Sequence, residues 1–388
     1  MFDVEVLGAG PAGAYVANAL ARRGFSVRLV DRATFPREKL CGGGLTRKGM
    51  DLIRHLEPSF DGSGLAEPVE ELYLIASDGR STTPERIPPG LLSLVRRREF
   101  DAWWRERALD AGAEGSSRAL GLEGARFVVA ADGAGSAYGK AIRGPFRNDQ
   151  VAVATECVSG SERKPFAAIV VSPAGSGTGW GYSWLFGRSD GIVTGTGFRR
   201  DQIADLGALR RRIVDVSRRF TRAACSGFSN WVIPLYRPRP AARGRVALVG
   251  DALGTADPLF AEGIAFGMAS SQALVESWER DGNFDGYPEQ LRRHPFFRAM
   301  PYYAFLQQLG GGDPDLTYRS LRATRVFQGL RRTLEDPSAA RHLVQQVAVR
   351  HPVTASRIWW SVRGQWSGGT NAARDNPTER IASLRLGQ

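Results

Sequence analysis

The sequence predicts an α/β fold: a doubly wound nucleotide-binding domain, interrupted by a domain on an antiparallel sheet and followed by a helical C-terminal region. Three observations predict it. A buried strand runs into a glycine-rich turn at Gly8, and a later buried strand ends in another glycine turn at Gly250. Between them, short apolar runs alternate with polar residues, which is typical of antiparallel strands. Beyond residue 300 the pattern is helical, basic and aromatic.

The order of these patterns makes the nucleotide-binding domain discontinuous in sequence, because the antiparallel segments are inserted between its strands. We predict the nucleotide-binding domain at 1–60, 96–150 and 245–300. The antiparallel domain is predicted at 61–95 and 151–244, and the helical region at 301–388. Within these parts we expect helices over 96–111 and 206–220, and antiparallel strands on either side of a turn at Asp78-Gly79.

Composition places the chain among globular proteins. Its 388 residues are 43% hydrophobic and 10% aromatic, enough for a large core. No apolar run approaches the roughly 18 residues of a membrane span, and the first strand begins at residue 2, which predicts no signal peptide and a cytoplasmic protein. Cys41, Cys157, Cys225 and the four histidines are scattered, which predicts neither a disulfide framework nor a metal site.

The net charge is strongly positive, with 52 Lys and Arg against 40 Asp and Glu. Such an excess attracts nucleic acid, an anionic membrane or a phosphorylated substrate, or it simply covers a solvated surface with arginine. No nucleic-acid-binding module accompanies the charge, so we predict no nucleic-acid partner and favour the solvated surface.

The N-terminus has the pattern of a dinucleotide site. A strand runs into Gly8, Gly10 and Gly13, a helix follows, and a second strand ends at Asp31. Gly8 permits the tight turn, Gly10 lets the backbone approach a pyrophosphate, and Gly13 lets helix and strand pack closely. The helix N-terminus attracts phosphate, and Asp31 can accept hydrogen bonds from a ribose.

Three further segments predict parts of the same site. Arg97 lies at the start of a helix, and Asp132 closes a buried strand. Asp251 follows another buried strand, where its carboxylate can bind a ribityl or ribose hydroxyl. Gly263 and Ile264 then begin a helix whose N–H groups can face the pyrimidine edge of a flavin.

Together these motifs resemble the FAD-dependent oxidoreductases built like p-hydroxybenzoate hydroxylase. The resemblance implies FAD as cofactor and implies that the interrupted nucleotide-binding domain is the FAD-binding domain. The cofactor contacts it implies outside the segment at 41–45 are Gly8, Gly10, Ala12, Gly13, Asp31, Arg32, Arg97, Asp132, Asp251, Gly263 and Ile264.

Two more segments narrow the resemblance. Cys41-Gly42-Gly43-Gly44-Leu45 and Gly181-Tyr182-Ser183-Trp184-Leu185-Phe186 resemble signatures of the geranylgeranyl reductase family. The family pattern implies that Cys41, Gly42 and Gly44 border the flavin ring, and that Tyr182, Trp184 and Phe186 face an isoprenoid substrate. Two positions depart from it: Gly187 replaces a proline and Ala261 replaces a glycine.

These assignments leave alternatives open. Cys41, Tyr182 and Trp184 are the candidate catalytic residues, but Cys41 could be a small buried side chain. Tyr182 and Trp184 alternate along a strand, so they could simply fill one of its faces. The acid that reduction of an unactivated alkene needs could be Cys41, Tyr182 or a bound water.

The resemblance implies FAD-dependent reduction of alkene bonds in a geranylgeranyl-type chain, with a small-molecule lipid or isoprenoid as substrate. A flavin-dependent monooxygenase, or a halogenase, acting on a natural product is the alternative. No second dinucleotide fingerprint is visible, so the electron donor is either transiently bound NAD(P)H or a ferredoxin-like protein. The segment 357–366 mixes tryptophan with arginine and predicts a helix, docked on the protein or in peripheral contact with a membrane.

Overall fold

The computed structural model describes residues 1–76, 90–159, 164–171, 181–203, 205–220, 225–312 and 324–367. The turn expected at Asp78-Gly79 and the end of the chain from residue 368 lie outside these ranges.

The strands, in chain order, are β1 (Phe2–Leu7), β2 (Val27–Val30), β3 (Gly44–Thr46), β4 (Ala66–Pro68), β5 (Glu71–Ala76), β6 (Leu92–Val95), β7 (Glu114–Ser116), β8 (Ala125–Ala130), β9 (Val151–Ser159), β10 (Phe166–Val171), β11 (Gly181–Arg188), β12 (Gly191–Arg199), β13 (Ser226–Pro234), β14 (Ala242–Arg243) and β15 (Val246–Leu248). The helices are α1 (Pro11–Ala21), α2 (Arg47–Leu56), α3 (Arg97–Asp110), α4 (Ala137–Arg143), α5 (Leu206–Phe220), α6 (Ile264–Asp281), α7 (Tyr287–Arg293), α8 (Pro295–Arg298), α9 (Met300–Gly312), α10 (Thr324–Glu335), α11 (Ala339–Arg350) and α12 (Pro352–Ser367).

A mostly parallel sheet in the order β14-β15-β8-β1-β2-β7 forms the centre of the nucleotide-binding part. Strand β1, at its centre, carries Val4 and Val6 on one face and Glu5 on the other, all fully buried, as expected for a parallel strand covered on both faces. Helix α1 packs against α3 and α6, with Tyr15 edge-on to Trp104 at 6.1 Å between ring centres. The predicted α/β fold class is confirmed: distant segments of the chain meet in one parallel sheet.

The second sheet has the order β13-β9-β12-β11-β10-β5. It is antiparallel except at one edge, where β5 pairs with β10 in parallel. The expectation that all strands between 61 and 95 are antiparallel was therefore wrong for β5, because its partner lies far along the chain. On one face Val216 of α5 packs with Leu185 and Ile192. The other face carries Trp184 and Phe186.

A small antiparallel sheet, β3-β6-β4, fixes the segment that contains Cys41. Gly44 lies opposite Leu94 in this sheet, and the Val95 N–H donates to the Gly43 carbonyl at 2.8 Å. The segment is thereby tied to the strand that leads directly into α3.

Cys157 and Cys225 form a disulfide with 5.6 Å between their Cα atoms. The expectation that the scattered cysteines form no disulfide framework was wrong for this pair, because residues far apart in sequence can be neighbours in the fold. Cys157 lies on β9 and Cys225 immediately precedes β13, which pairs with β9. Cys41 is the free cysteine.

The C-terminal helices cover the protein with aromatic side chains. The helix predicted over 357–366 is confirmed as part of α12. Trp359 stacks on Tyr302 of α9 at 5.7 Å, and Trp366 contacts Tyr236 at 5.7 Å, whereas Trp360 is 72% exposed. Two tryptophans thus dock on the protein and one faces solvent. In the described ranges, no helix has both the length and the apolar character needed to cross a membrane.

Candidate active site

One cavity of about 3210 Å³ runs from the glycine-rich turn to the aromatic face of the second sheet. It is several times larger than an ordinary ligand pocket of roughly 300–1,000 Å³, which leaves room for a dinucleotide and a second, extended molecule. All predicted site residues line it except Gly13, namely Gly8, Gly10, Ala12, Asp31, Arg32, Cys41, Gly42, Gly44, Arg97, Asp132, Tyr182, Trp184, Asp251, Gly263 and Ile264.

The glycine-rich turn is shaped by close backbone contacts. Gly8 has a φ of 102°, and a Cβ on it would lie 2.3 Å from the Ala131 carbonyl oxygen. A Cβ on Gly13 would lie 2.0 Å from the Gly8 carbonyl oxygen, which explains why Gly13 serves packing instead of lining the cavity. The Asp31 carboxylate accepts the Ala9 N–H at 2.9 Å, so it holds the turn and also faces the cavity.

The Arg97 side chain is held in place by an aspartate that the sequence analysis missed. Its Nε and Nη2 donate to the two carboxylate oxygens of Asp101, each at 2.8 Å, and Arg37 contacts the same carboxylate at 3.1 Å. Burial opposes the charge of Arg97, but Asp101 outweighs it and raises the pKa of Arg97, with a further contribution from the adjacent Cys41. The spacing of four residues on a helix was the available signal for Asp101.

The Gly250-Asp251 turn places a carboxyl group beside the start of α6. A Cβ on Gly263 would lie 3.7 Å from Asp251 Oδ1. Burial raises the pKa of Asp251, while Lys39 and Arg97 lower it. Sequence reasoning also missed Lys39, whose ammonium lies 3.2 Å from the centre of the Trp231 ring and whose pKa is lowered by burial to about 8.

The loop before α6 is organised by a buried aspartate. The Asp257 carboxylate accepts backbone N–H groups of Leu259, Phe260 and Glu262 at 2.9, 2.7 and 2.8 Å. Ala261, the position where the family pattern has glycine, has a left-handed φ of 54°. Burial raises the pKa of Asp257 to about 6.

Thr46 immediately precedes α2, but its hydroxyl makes no capping hydrogen bond to that helix. It donates instead to Glu262 Oε1 at 2.7 Å. Lys48 pairs with the other oxygen of Glu262 at 2.9 Å. The glycine segment that ends at Thr46 and the loop before α6 are therefore fastened to each other.

The two signature segments meet inside the cavity. A Cβ on Gly42 would lie 2.8 Å from Trp184 Nε1 and 3.0 Å from Phe186 Cε2. A Cβ on Gly44 would lie 3.2 Å from the same atom of Phe186. Real Cβ atoms essentially never come as close as 2.8 Å, and 3.0–3.2 Å is tighter than most of their contacts. The absent side chains of Gly42 and Gly44 therefore let the glycine segment lie against the aromatic strand.

Two glycines of β12 make room for the aromatic strand. Gly195 lies opposite Trp184 on one side and Glu156 on the other. A Cβ on Gly195 would lie 2.2 Å from Trp184 Cζ2 and 2.8 Å from Glu156 Cγ. Gly197, two residues along, has the same relation to Tyr182 and Ala154. The indole thus lies beside Gly195 and Gly197, two positions of β12 that carry no side chain.

The Tyr182 hydroxyl is engaged in a structural contact. It donates to the Phe260 carbonyl at 2.5 Å, and burial raises its pKa. Its ring contacts that of Trp184 at 5.7 Å. The other departure from the family pattern, Gly187, has a packing reason, because a Cβ there would lie 2.2 Å from Phe166 Cε1.

Glu156 is a cavity residue that the sequence analysis missed. It is 4% exposed, lines the cavity, and has a pKa raised by burial to about 7, although Arg188 and Arg97 act to lower it. The Trp184 indole N–H lies beside the carboxyl at the margin of hydrogen-bonding geometry. The available signal was a single glutamate in the otherwise uncharged strand β9.

The residues present fit FAD at both ends. Gly10 leaves the start of α1 open to a pyrophosphate, and Asp31 faces the same region of the cavity. Asp251 and the start of α6 at Gly263 also line the cavity, as does the segment Cys41–Gly44. Cys41 lies between these ends and the aromatic strand, close to Arg97.

Residues 1–88 match the protein family described as the FAD binding domain. Over 314 residues the chain is 30% identical to a menaquinone reductase of Mycobacterium tuberculosis, covering 71% of this chain and 76% of that protein. A geranylgeranyl diphosphate reductase of Rhodobacter capsulatus is 36% identical over 116 residues, which are 29% of this chain and 28% of the relative.

Two solved structures share the fold. A Thermoplasma acidophilum protein described as geranylgeranyl bacteriochlorophyll reductase-like has a TM-score of 0.71 at 18% identity, covering 93% of this chain and 99% of that one. A flavin-dependent brominase has a TM-score of 0.65 at 18% identity, covering 90% and 100%. With an FAD-binding N-terminus and a reductase relative aligned over most of both sequences, the chain belongs to the FAD-dependent oxidoreductases, in the family of that menaquinone reductase.

Proposed function

We propose that this FAD-dependent oxidoreductase saturates carbon–carbon double bonds in the polyprenyl chain of a lipid or isoprenoid substrate. The observation that carries the proposal is the contact of Gly42 and Gly44 with Trp184 and Phe186. It puts the segment expected to border the flavin ring directly against an aromatic, apolar surface. An extended hydrocarbon could lie there within reach of the cofactor.

The surroundings of this contact suit a prenyl chain. Reduced FAD supplies hydride when it is bound. The rings of Tyr182 and Trp184 offer π faces to the positive charge that develops on an alkene carbon. Apolar side chains pack around these rings, and those that line the cavity are Leu72, Leu92, Ala154, Ile169, Phe186 and Ile233.

The names of the relatives support the same substrate class. One is a menaquinone reductase and another a geranylgeranyl diphosphate reductase. Menaquinone and geranylgeranyl diphosphate have unlike polar ends but share a polyprenyl chain. The feature common to both is therefore the part of the molecule that we propose this site reduces.

A reductive assay tests the proposal. The FAD-loaded protein is reduced with dithionite under anaerobic conditions, incubated with menaquinone, geranylgeranyl diphosphate or a digeranylgeranyl phospholipid, and the lipids are analysed by mass spectrometry. We expect a gain of two hydrogens for each bond reduced. Parallel reactions driven by NADPH or by reduced ferredoxin, in place of dithionite, identify the electron donor.

A flavin monooxygenase or halogenase is the competing function, since the brominase has the same fold. If no lipid gains hydrogen under any reductant, while oxygen is consumed and an oxygen or halogen atom enters another substrate, the reductase proposal is wrong.

A further inference from the structure

We propose that Glu156 is the proton donor of this site, which protonates one alkene carbon while hydride reaches the other. The inference rests on the proposed function, because it assigns the acid that the reaction requires. An isolated trisubstituted alkene has no polarising group. It accepts hydride only as its other carbon is protonated by a positioned acid.

Glu156 lies where the two signature segments meet. Three adjacent strands put Glu156, Gly195 and Trp184 in one row across the sheet. Since Gly195 has no side chain, the carboxyl group and the indole approach each other over it. The Cys41 backbone also contacts the carboxyl group, so Glu156 borders both the aromatic surface and the segment beside the flavin site.

The nearby cations are already occupied. Arg97 is held by Asp101, and Arg188 pairs with Asp190 at 2.9 Å. Among the described residues, no cation lies within ion-pairing distance of the Glu156 carboxyl, so burial favours its neutral form and raises its pKa to about 7. The ionisable groups that face it are Arg97 from α3, Arg188 and Tyr182 from β11, and Cys41 from the glycine segment.

The other candidate acids are less suited to the task. The Tyr182 proton is directed at the Phe260 carbonyl, and its raised pKa makes it a weak acid. Cys41 remains a competitor, with its sulfur accepting the Gly43 N–H at 3.4 Å. The experiment below therefore includes variants of both Glu156 and Cys41.

The step balances in atoms and electrons. The alkene π pair forms a C–H bond to the carboxyl proton of Glu156, which remains as carboxylate. The hydride, with its two electrons, comes from the reduced flavin and closes the second carbon. The π bond of the alkene and the O–H bond of Glu156 break, and two C–H bonds form; the reduced flavin would be oxidised by two electrons, and Glu156 regains its proton from water.

If Glu156 is the proton donor, the rate of reduction should fall as pH rises. Only the protonated carboxyl can donate, so single-turnover reduction should be maximal below pH 7 and should fall as pH rises through about 7. Glu156→Gln keeps the size and polarity of the side chain but removes the acid. We expect its turnover to fall about 100- to 10,000-fold and its alkaline decline to disappear.

Two further measurements, which do not depend on turnover, test the same role of Glu156. The infrared carbonyl band of a protonated carboxyl should be present in the wild type at neutral pH, disappear with alkali, and be absent from Glu156→Gln. FAD absorbance and lipid binding, measured on the oxidised protein, should be unchanged in that variant. Glu156→Asp should restore part of the rate, and Glu70→Gln, on an exposed carboxylate of the same domain, should behave as wild type.

The outcomes separate the two proposals. If the wild type reduces a prenyl lipid and Glu156→Gln does so at the same rate and with the same pH profile, Glu156 is not the donor. Loss of turnover in Cys41→Ala, with Glu156→Gln fully active, would assign the proton to Cys41 instead. If the wild type reduces no prenyl lipid, both proposals are wrong.

Discussion

We propose that Asp251 binds the flavin, since its carboxyl group lines the cavity beside Gly263. Asp251→Ala should weaken FAD binding about 10- to 100-fold, because a hydrogen bond to a charged group contributes roughly 1.5–3 kcal/mol. Cofactor retention after dilution and desalting, read from flavin absorbance, measures this. Asp110→Ala at the exposed end of α3 is the control, and full FAD retention by Asp251→Ala would contradict the assignment.

Ala261 holds a backbone conformation that L-amino acids disfavour, with a φ of 54°. A left-handed residue with a Cβ costs roughly 1–2 kcal/mol, partly offset by the greater freedom of glycine in the unfolded chain. Ala261→Gly should therefore leave thermal stability unchanged or raise it by up to about 1 kcal/mol. The same change at Ala348, inside α11, should cost about 1 kcal/mol. Equal destabilisation by the two variants would contradict this account.

Among the strands, the glycine positions of β12 determine where the Trp184 indole can lie. Gly195→Ala puts a methyl group 2.2 Å from the indole, so Trp184 must move or the strands must separate. We expect a loss of about 1–3 kcal/mol in stability, as for other overpacked sites, with a shift in tryptophan fluorescence. Gly364→Ala on α12 is the matched control, because its Cβ would meet nothing within 4 Å. A stable Gly195→Ala protein with unchanged fluorescence would refute the packing argument.

In the protein as a whole, the buried ammonium group of Lys48 connects three parts of the fold. It lies on α2, pairs with Glu262 before α6 at 2.9 Å, and donates to the Thr333 carbonyl of α10 at 3.1 Å. Burial acts to lower the pKa of Lys48, but the Glu262 carboxylate outweighs it and raises that pKa. The loop before α6 and the C-terminal helices are thus connected through one buried ammonium group.

Lys48→Met should destabilise the protein by about 3–5 kcal/mol, because Glu262 is left as an uncompensated buried charge. Adding Glu262→Gln should recover most of this loss, since the pair is then removed together. Thermal unfolding of the two variants and of Glu262→Gln alone completes the double-mutant cycle. Additive losses would show that the ion pair does not couple these parts.

Local sequence patterns were sufficient to predict the fold class and the FAD-binding N-terminal segment. Glycine turns after buried strands depend on local backbone chemistry, so Gly8, Gly13 and Asp251 could be placed from sequence neighbours alone. The α5 helix and the β8 strand were also predicted from local patterns, namely the spacing of their apolar residues.

The contacts between residues on different strands, in contrast, could not be predicted before the fold was known. The parallel pairing of β5 with β10, the Cys157–Cys225 disulfide and the row of Glu156, Gly195 and Trp184 all join segments that are distant in sequence. The raised pKa of Glu156 arises from burial among such segments, with its cationic neighbours held by other carboxylates. No local pattern encodes that environment, because it exists only once the strands have paired.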